Sequence, residues 1–140
     1  MVDRLTRQAR SRNMGRIRGK DTKPELIVRK LLWAAGLRYR LHARNLPGTP
    51  DVVFRRRRKV ILVHGCFWHR HTACRMAYEP KSRREFWASK FAATVARDQR
   101  NLQALRELGW DVLIVWECEI PAQHELRARL VKFVDPGVQE

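Results

Sequence analysis

The alternation of apolar and polar positions divides the chain into helices and strands. Ser11 can cap a short helix that puts Met14 and Ile17 on one face. The run TKPE announces a second helix, with Thr22 as N-cap, Pro24 in the first turn and Glu25 at the capping-box position. Its apolar face reads Leu26, Ile27, Leu31, Leu32 and Ala35, and Gly36 stands where a C-terminal glycine belongs. LRYRLHA (37–43) alternates and predicts a strand, while NLPGTP (45–50) predicts a turn. DVVFR (51–55) and KVILVHG (59–65), joined by a tight basic turn, predict a hairpin.

Residues 82–108 carry helical periodicity and read as two helices with a break before Asp98, ended by Gly109. WDVLIVWECE (110–119) is an apolar, β-branched run without a turn signal and predicts a buried strand. Pro121 opens a final amphipathic helix to Phe133, followed by a frayed tail. The order predicts one α/β domain with a central mixed sheet flanked by helices. The pattern predicts a basic arm with its short helix over residues 1–20, the domain over 21–134 and a tail over 135–140.

Composition adds a partner. The 140 residues, 44% of them apolar, suffice for one core. Residues 1–59 hold 18 Lys/Arg against 4 Asp/Glu, and residues 60–140 hold 12 against 10, so the net charge of +16 is concentrated on the first part of the chain. Such a field suits the phosphates of nucleic acid, and the arm can become ordered on DNA. The basic residues do not line one long amphipathic helix, which disfavours acidic lipid. With no apolar run of about 18 residues and no apolar N-terminal stretch, neither a membrane nor secretion is expected, and the expected location is cytoplasmic.

Three cysteines cannot complete a disulfide framework. Cys66, His71 and Cys74 follow the spacing C-x4-H-x2-C, and Cys118 closes the next predicted strand, where neighbouring strand ends can bring it to the loop. Four such donors make a closed tetrahedral zinc shell that staples residues 65–80 to the sheet. The competing reading is three small core cysteines and a surface histidine. His64 and His69 stay outside that shell. The hairpin brings Asp51 opposite residues 63–64, so a carboxylate, a backbone carbonyl and two imidazoles meet at one sheet edge. These parts can bind a hard divalent cation and move a proton, as phosphodiester hydrolysis requires. Phe67 and Trp68 have no amphipathic period to explain them; they either pack back on the domain or form a wedge that unstacks base pairs. Trp87 lies on a helix that can simply bury it.

At these residues the chain resembles the very-short-patch repair (Vsr) mismatch endonucleases, which have a PD-(D/E)xK-like, restriction-endonuclease-like fold. The resemblance runs from Ser11 to Glu119 through SRNM, LPGTPD, HGCFWH, EFW..K, RD and ELGWDVLIVWEC, and HGCFWH followed by WEC is highly specific. It implies an enzyme that nicks 5′ of the thymine in T·G mismatches left by deamination of 5-methylcytosine. It further implies that Asp51 and the Val63 carbonyl bind catalytic Mg2+, as one of two ions, and that one structural Zn2+ sits on Cys66, His71, Cys74 and Cys118. His69 would be the general base with Glu25 orienting it, and His64 and Asp98 would support the metals through their water shells. Phe67, Trp68 and Trp87 would intercalate beside the mismatch, Met14 and Ile17 would enter from the minor groove, and Lys90 would contact the mismatched pair.

The implied partners are double-stranded DNA carrying the mismatch, met by a monomer in the nucleoid, with functional links to a cytosine-5 methyltransferase, a repair polymerase and a ligase. The chain departs from the pattern in three places: Val63 stands where Thr is familiar, one extra residue separates His71 from Cys74, and Thr94 stands where Asn is expected. Two other readings remain open: a related nickase with altered sequence or mismatch specificity, and a catalytically inactive zinc-stapled DNA-binding module.

Overall fold

The computed structural model describes residues 21–137. The basic arm, its expected helix, Met14 and Ile17 lie outside the described residues. Helix α1 spans Lys23–Ala34, strands β1 to β3 span Arg40–Leu41, Val52–Phe54 and Lys59–His64, helix α2 spans Arg84–Glu107, strand β4 spans Asp111–Trp116 and helix α3 spans Gln123–Val134. The sheet runs in the order β1-β2-β3-β4, with the first three strands antiparallel and β4 parallel to β3. This is the mixed α/β sheet that the pattern predicts.

Alternation along the strands divides the core in two. Val52, Phe54, Ile61 and Val115 pack with Val28 and Leu32 of α1 and with Leu126, Leu130 and Val134 of α3. Val53 and Val60 point the other way and pack with Ala43, Leu46, Trp110 and Leu105 of α2. Both faces of β2 and β3 are thus covered, so these strands read as continuous apolar runs.

Several boundaries differ from expectation. In α1 it is Val28 that is fully buried, whereas Leu26 is 45% exposed. The expected strand 37–43 shortens to Arg40–Leu41, because His42 turns into the left-handed region at φ 46 while its amide still donates to Asp51 O at 3.2 Å. Residues 84–107 form one unbroken helix instead of two. The stretch contains neither glycine nor proline, and its two halves serve different partners: Trp87 and Phe91 meet the loop after β3, and Leu105 meets the sheet. Residues Glu117–Glu119 leave β4 as a 3-10 turn, closed by a bond from Trp116 N to Glu119 Oε1 at 3.0 Å.

The basic turn between β2 and β3 clasps helix ends. Arg58 Nη2 donates to Leu108 O at 2.5 Å, Lys59 Nζ to Phe133 O at 2.6 Å and Arg57 Nη1 to Val134 O at 2.9 Å. These are the orphan carbonyls of helix C-termini, where cations are also favoured by the helix dipole.

Candidate active site and metal centre

Antiparallel pairing of β2 with β3 and parallel pairing of β3 with β4 bring the start of β2 and the ends of β3 and β4 to one edge of the sheet. The NLPGTP turn fixes the entry to β2. Gly48 sits at φ +75, and a Cβ there would lie 3.0 Å from Asn101 Nδ2 on α2, so only glycine lets the turn seat against that helix. Asp51 follows, and its Oδ2 accepts from Val63 N at 2.8 Å.

Glu25 is 6% exposed in the first turn of α1. Its amide donates to Thr22 Oγ1 at 3.4 Å and its Oε2 accepts from Asp21 N at 2.9 Å, so it does cap the helix. The same carboxyl lies close enough to Asp51 to disfavour its charged form. Burial pushes Asp51 up to about 7; Glu25 adds to the rise, while the Val63 amide and His69 oppose it. A buried carboxyl that keeps its proton up to neutrality beside a second buried carboxyl is a donor set suited to a hard divalent cation, which takes oxygen ligands and replaces that proton.

His69 Nδ1 lies 2.6 Å from Asp98 Oδ2 on α2. The partner that orients His69 is therefore Asp98, and the orienting contact expected of Glu25 falls to it. His64 stacks flat on His69, with ring centroids 3.9 Å apart and planes 6° from parallel. Burial, then the neighbouring His69, push His64 down to about 4, against the pull of Asp98. It is therefore neutral near pH 7. Its Nδ1 is buried with no protein partner among the described residues, an orphan that fits a water molecule of a hydrated cation.

The next residues build a second centre. Ligand atoms of Cys66, His71, Cys74 and Cys118 all lie within 4.8 Å of one another. Cys66 Sγ and Cys118 Sγ are 3.6 and 3.4 Å from His71 Nδ1. Tetrahedral zinc, with bonds of about 2.3 Å to sulfur and 2.0 Å to nitrogen, spaces its donors by roughly 3.5–3.8 Å. The four residues fit such an ion. Within this loop Arg70 and Ala73 take left-handed conformations, both at φ 53. Arg70 orders this loop, donating to the carbonyls of Phe67, Ala77 and Tyr78 and to Glu79, with its guanidinium 3.9 Å above the Phe91 ring. Trp116 stands between the two centres, stacked on His71 at 4.1 Å and edge-on to His64 at 5.2 Å.

Phe67 and Trp68 do pack, but on one another and not into the sheet core. Phe67 contacts Trp68, Tyr78, Trp87 and Phe91, and Trp68 contacts Trp87. Phe67, Trp68 and Trp87 remain half-buried, and Tyr78 is 63% exposed. The result is an aromatic cluster open on one side. Lys90 is half-buried on α2, between Trp87 and Asp98 in sequence.

A family profile described as DNA mismatch endonuclease Vsr matches residues 2–75. This chain belongs to the Vsr family. It is 44% identical to the DNA mismatch endonuclease Vsr of Escherichia coli K12 over 126 residues, 90% of this chain and 80% of that one. It is also 50% identical to the type II nicking enzyme V.XorIIP of Xanthomonas oryzae pv. oryzae over 137 residues, 98% of this chain and all of that one. Against the type II nicking enzyme V.NmeAIP of Neisseria meningitidis, identity is 40% over 134 residues, 96% of this chain and 95% of that one. Membership makes this Vsr-family chain a DNA endonuclease.

Sequence reasoning missed Arg29, His42, Arg70 and Trp116. Arg29 had a signal, since it stands at i+4 from Glu25 on a helix. His42 had none: the strand pattern hides a residue that leaves the strand.

Proposed function

We propose that this endonuclease nicks DNA 5′ of the thymine in a T·G mismatch, in the repair of deaminated 5-methylcytosine, with Mg2+ as the catalytic cation. The observation that carries this reading is the meeting of the Asp51–Glu25 carboxyl pair, the His69–Asp98 pair and an open aromatic cluster at one sheet edge. Asp51, the Val63 carbonyl and Glu25 would hold the cation, which when bound stabilises charge on the phosphate and on the leaving oxygen.

The side chains then divide the work. Asp98 accepts from His69 Nδ1–H, which leaves Nε2 as the proton acceptor for an attacking water. Neutral His64 keeps the His69 ring parallel to its own and offers its unpartnered Nδ1 to a hydration shell. Phe67, Trp68 and Trp87 form the wedge, and selectivity follows because a mismatched step costs less to unstack than a paired one. Zinc on Cys66, His71, Cys74 and Cys118 fixes the root of that wedge, since Cys66 directly precedes Phe67. Met14, Ile17 and Lys90 complete the DNA contacts from the arm and from α2. The enzyme acts as a monomer in the cytoplasm, at the nucleoid, downstream of a cytosine-5 methyltransferase, and hands its nick to a polymerase and a ligase.

A second reading, a strand-nicking enzyme with altered specificity, is favoured by the relatives named type II nicking enzymes. It is also favoured by Thr94 on α2, where the family pattern expects Asn. An inactive binding module has no use for the paired carboxyls or the His69–Asp98 pair. The deciding experiment incubates protein and Mg2+ with matched and T·G duplexes labelled on either strand, in several methyltransferase contexts. Nicking confined to the thymine strand, 5′ of the mismatch, is the expected result. Equal cutting of matched DNA would replace it with the altered nickase, and binding without cutting with the inactive module.

A further inference from the structure

Behind the carboxyl pair, one atom of Arg29 gathers three partners. Its Nη2 lies 2.8 Å from Asp21 Oδ1, 3.1 Å from Glu25 Oε2 and 3.3 Å from His42 Nε2. A guanidinium can only donate, so Nε2 of His42 accepts in this contact. The side chains of Arg29, Glu25 and His42 are 12, 8 and 15% exposed. Asp21, Glu25 and His42 are spaced so that they could ligate a cation by themselves. Here the guanidinium already supplies the positive charge.

His42 is tied to the other carboxyl as well. Its amide donates to Asp51 O at 3.2 Å, and its φ of 46 lies where a non-glycine residue is uncommon. Such a conformation persists when the surroundings over-determine it. Arg29 also leaves its Nε buried without a partner among the described residues. Both features carry a cost, and both are retained where they set the position of Glu25 relative to Asp51.

We infer that Arg29 and His42 are positioning residues that hold the Glu25 carboxyl against Asp51, so that the pair is already arranged for a divalent cation. This rests on the reading that Asp51 is a cation ligand. Two carboxylates gathered for one cation repel each other in its absence, and an unrestrained Glu25 would turn away from Asp51. A guanidinium bound on Glu25 Oε2 offsets that charge and fixes the carboxyl in place. His42 in turn holds the guanidinium in place while its backbone anchors the strand that carries Asp51. Contacts of this kind, one step removed from a metal, typically change affinity by about 10–100-fold.

The test is a Mn2+ titration of zinc-loaded full-length protein without DNA, reading free Mn2+ by electron paramagnetic resonance. Wild type, Asp51→Asn, Arg29→Met, His42→Ala and His42→Gln are compared, with folding checked by circular dichroism. The expected result is a site that is lost in Asp51→Asn and weakened about tenfold in Arg29→Met and His42→Ala. His42→Gln should recover most of the affinity, because its amide oxygen can accept from Arg29, and zinc content should not change. Unchanged Mn2+ affinity in folded Arg29→Met and His42→Ala would overturn the inference alone. If Arg29→Met does not fold, equal affinities in His42→Ala and His42→Gln overturn it. Mn2+ binding that survives Asp51→Asn but is lost in Asp21→Asn would make the Arg29 cluster itself the cation site, and would overturn it too. Absence of any Asp51-dependent binding in wild type would remove the underlying cation reading, and a nicking assay on the same sample would show whether nuclease activity stands without it.

Discussion

Asp98 Oδ2 accepts from His69 Nδ1 across 2.6 Å, joining the middle of α2 to the loop after β3. This bond sets both the tautomer and the direction of the imidazole, leaving Nε2 as the unprotonated nitrogen. Asp98→Asn presents either an amide nitrogen or a neutral oxygen to that ring and loses the charge. On the proposed mechanism it lowers the single-turnover nicking rate about a hundredfold, the scale of a misdirected general base. Gel-shift affinity for the same mismatched duplex should stay near that of wild type.

Asp51 makes stability depend on pH in a direction opposite to that of most carboxylates. Its ordinary value of 3.8 is raised to about 7 in the fold. The protonated form is therefore favoured, and its contribution is complete below about pH 4 and lost as pH rises through 7. Asp51→Asn keeps an acceptor for Val63 N and adds a permanent donor toward Glu25. At pH 8 without added divalent cation, this variant should be more stable than wild type by on the order of 2 kcal/mol, with no comparable gain at pH 4. Thermal melts at the two pH values measure the difference, and added Mg2+ should raise the melting temperature of wild type only.

The four-donor centre predicts one zinc per chain. Cys118→Ser should lose the ion and loosen residues 65–80, costing roughly 3 kcal/mol or more, because ion binding and the order of that loop are one equilibrium. Elemental analysis and chemical denaturation check this. A variant that keeps one equivalent of zinc and wild-type stability would argue against the centre.

Trp68→Ala removes a half-buried ring from the aromatic cluster. If that cluster is a wedge, the variant should bind a T·G duplex about tenfold more weakly, in line with the 1–3 kcal/mol per stacked base found elsewhere. Fluorescence of a 2-aminopurine placed beside the mismatch should no longer rise on binding. Unchanged fluorescence enhancement would assign the ring a purely structural task.

The basic turn is the part of the chain that charge alone would misassign. Arg58 and Lys59 cap the ends of α2 and α3, so Arg58→Ala should lower stability by about 1 kcal/mol. The salt dependence of DNA binding, which counts phosphate contacts, should keep its slope.

The elements were legible where one physical cause acted locally. Thr22, Pro24 and Glu25 announced α1, and the continuous apolar run in KVILVH announced β3. HGCFWHRHTAC showed that thiol and imidazole donors were crowded into one loop. What failed were boundaries decided by distant partners. Helix α2 read as two because Phe91 packs on a loop and Leu105 on a sheet, so no single apolar period runs through it.

Sequence by itself therefore determined the kind of chemistry available: which donors are soft, which are hard, where charge is concentrated and which segments can form a sheet. Local spacing is enough for that, since side-chain type and backbone preference do not depend on what lies across the fold. Tertiary structure alone decided the pairings, placing Asp98 on His69, Glu25 near Asp51, and Arg29 with His42 around Glu25. Those contacts join α1, the β1–β2 connection, the loop after β3 and α2, and their geometry exists only once burial has removed water from between the elements that carry them.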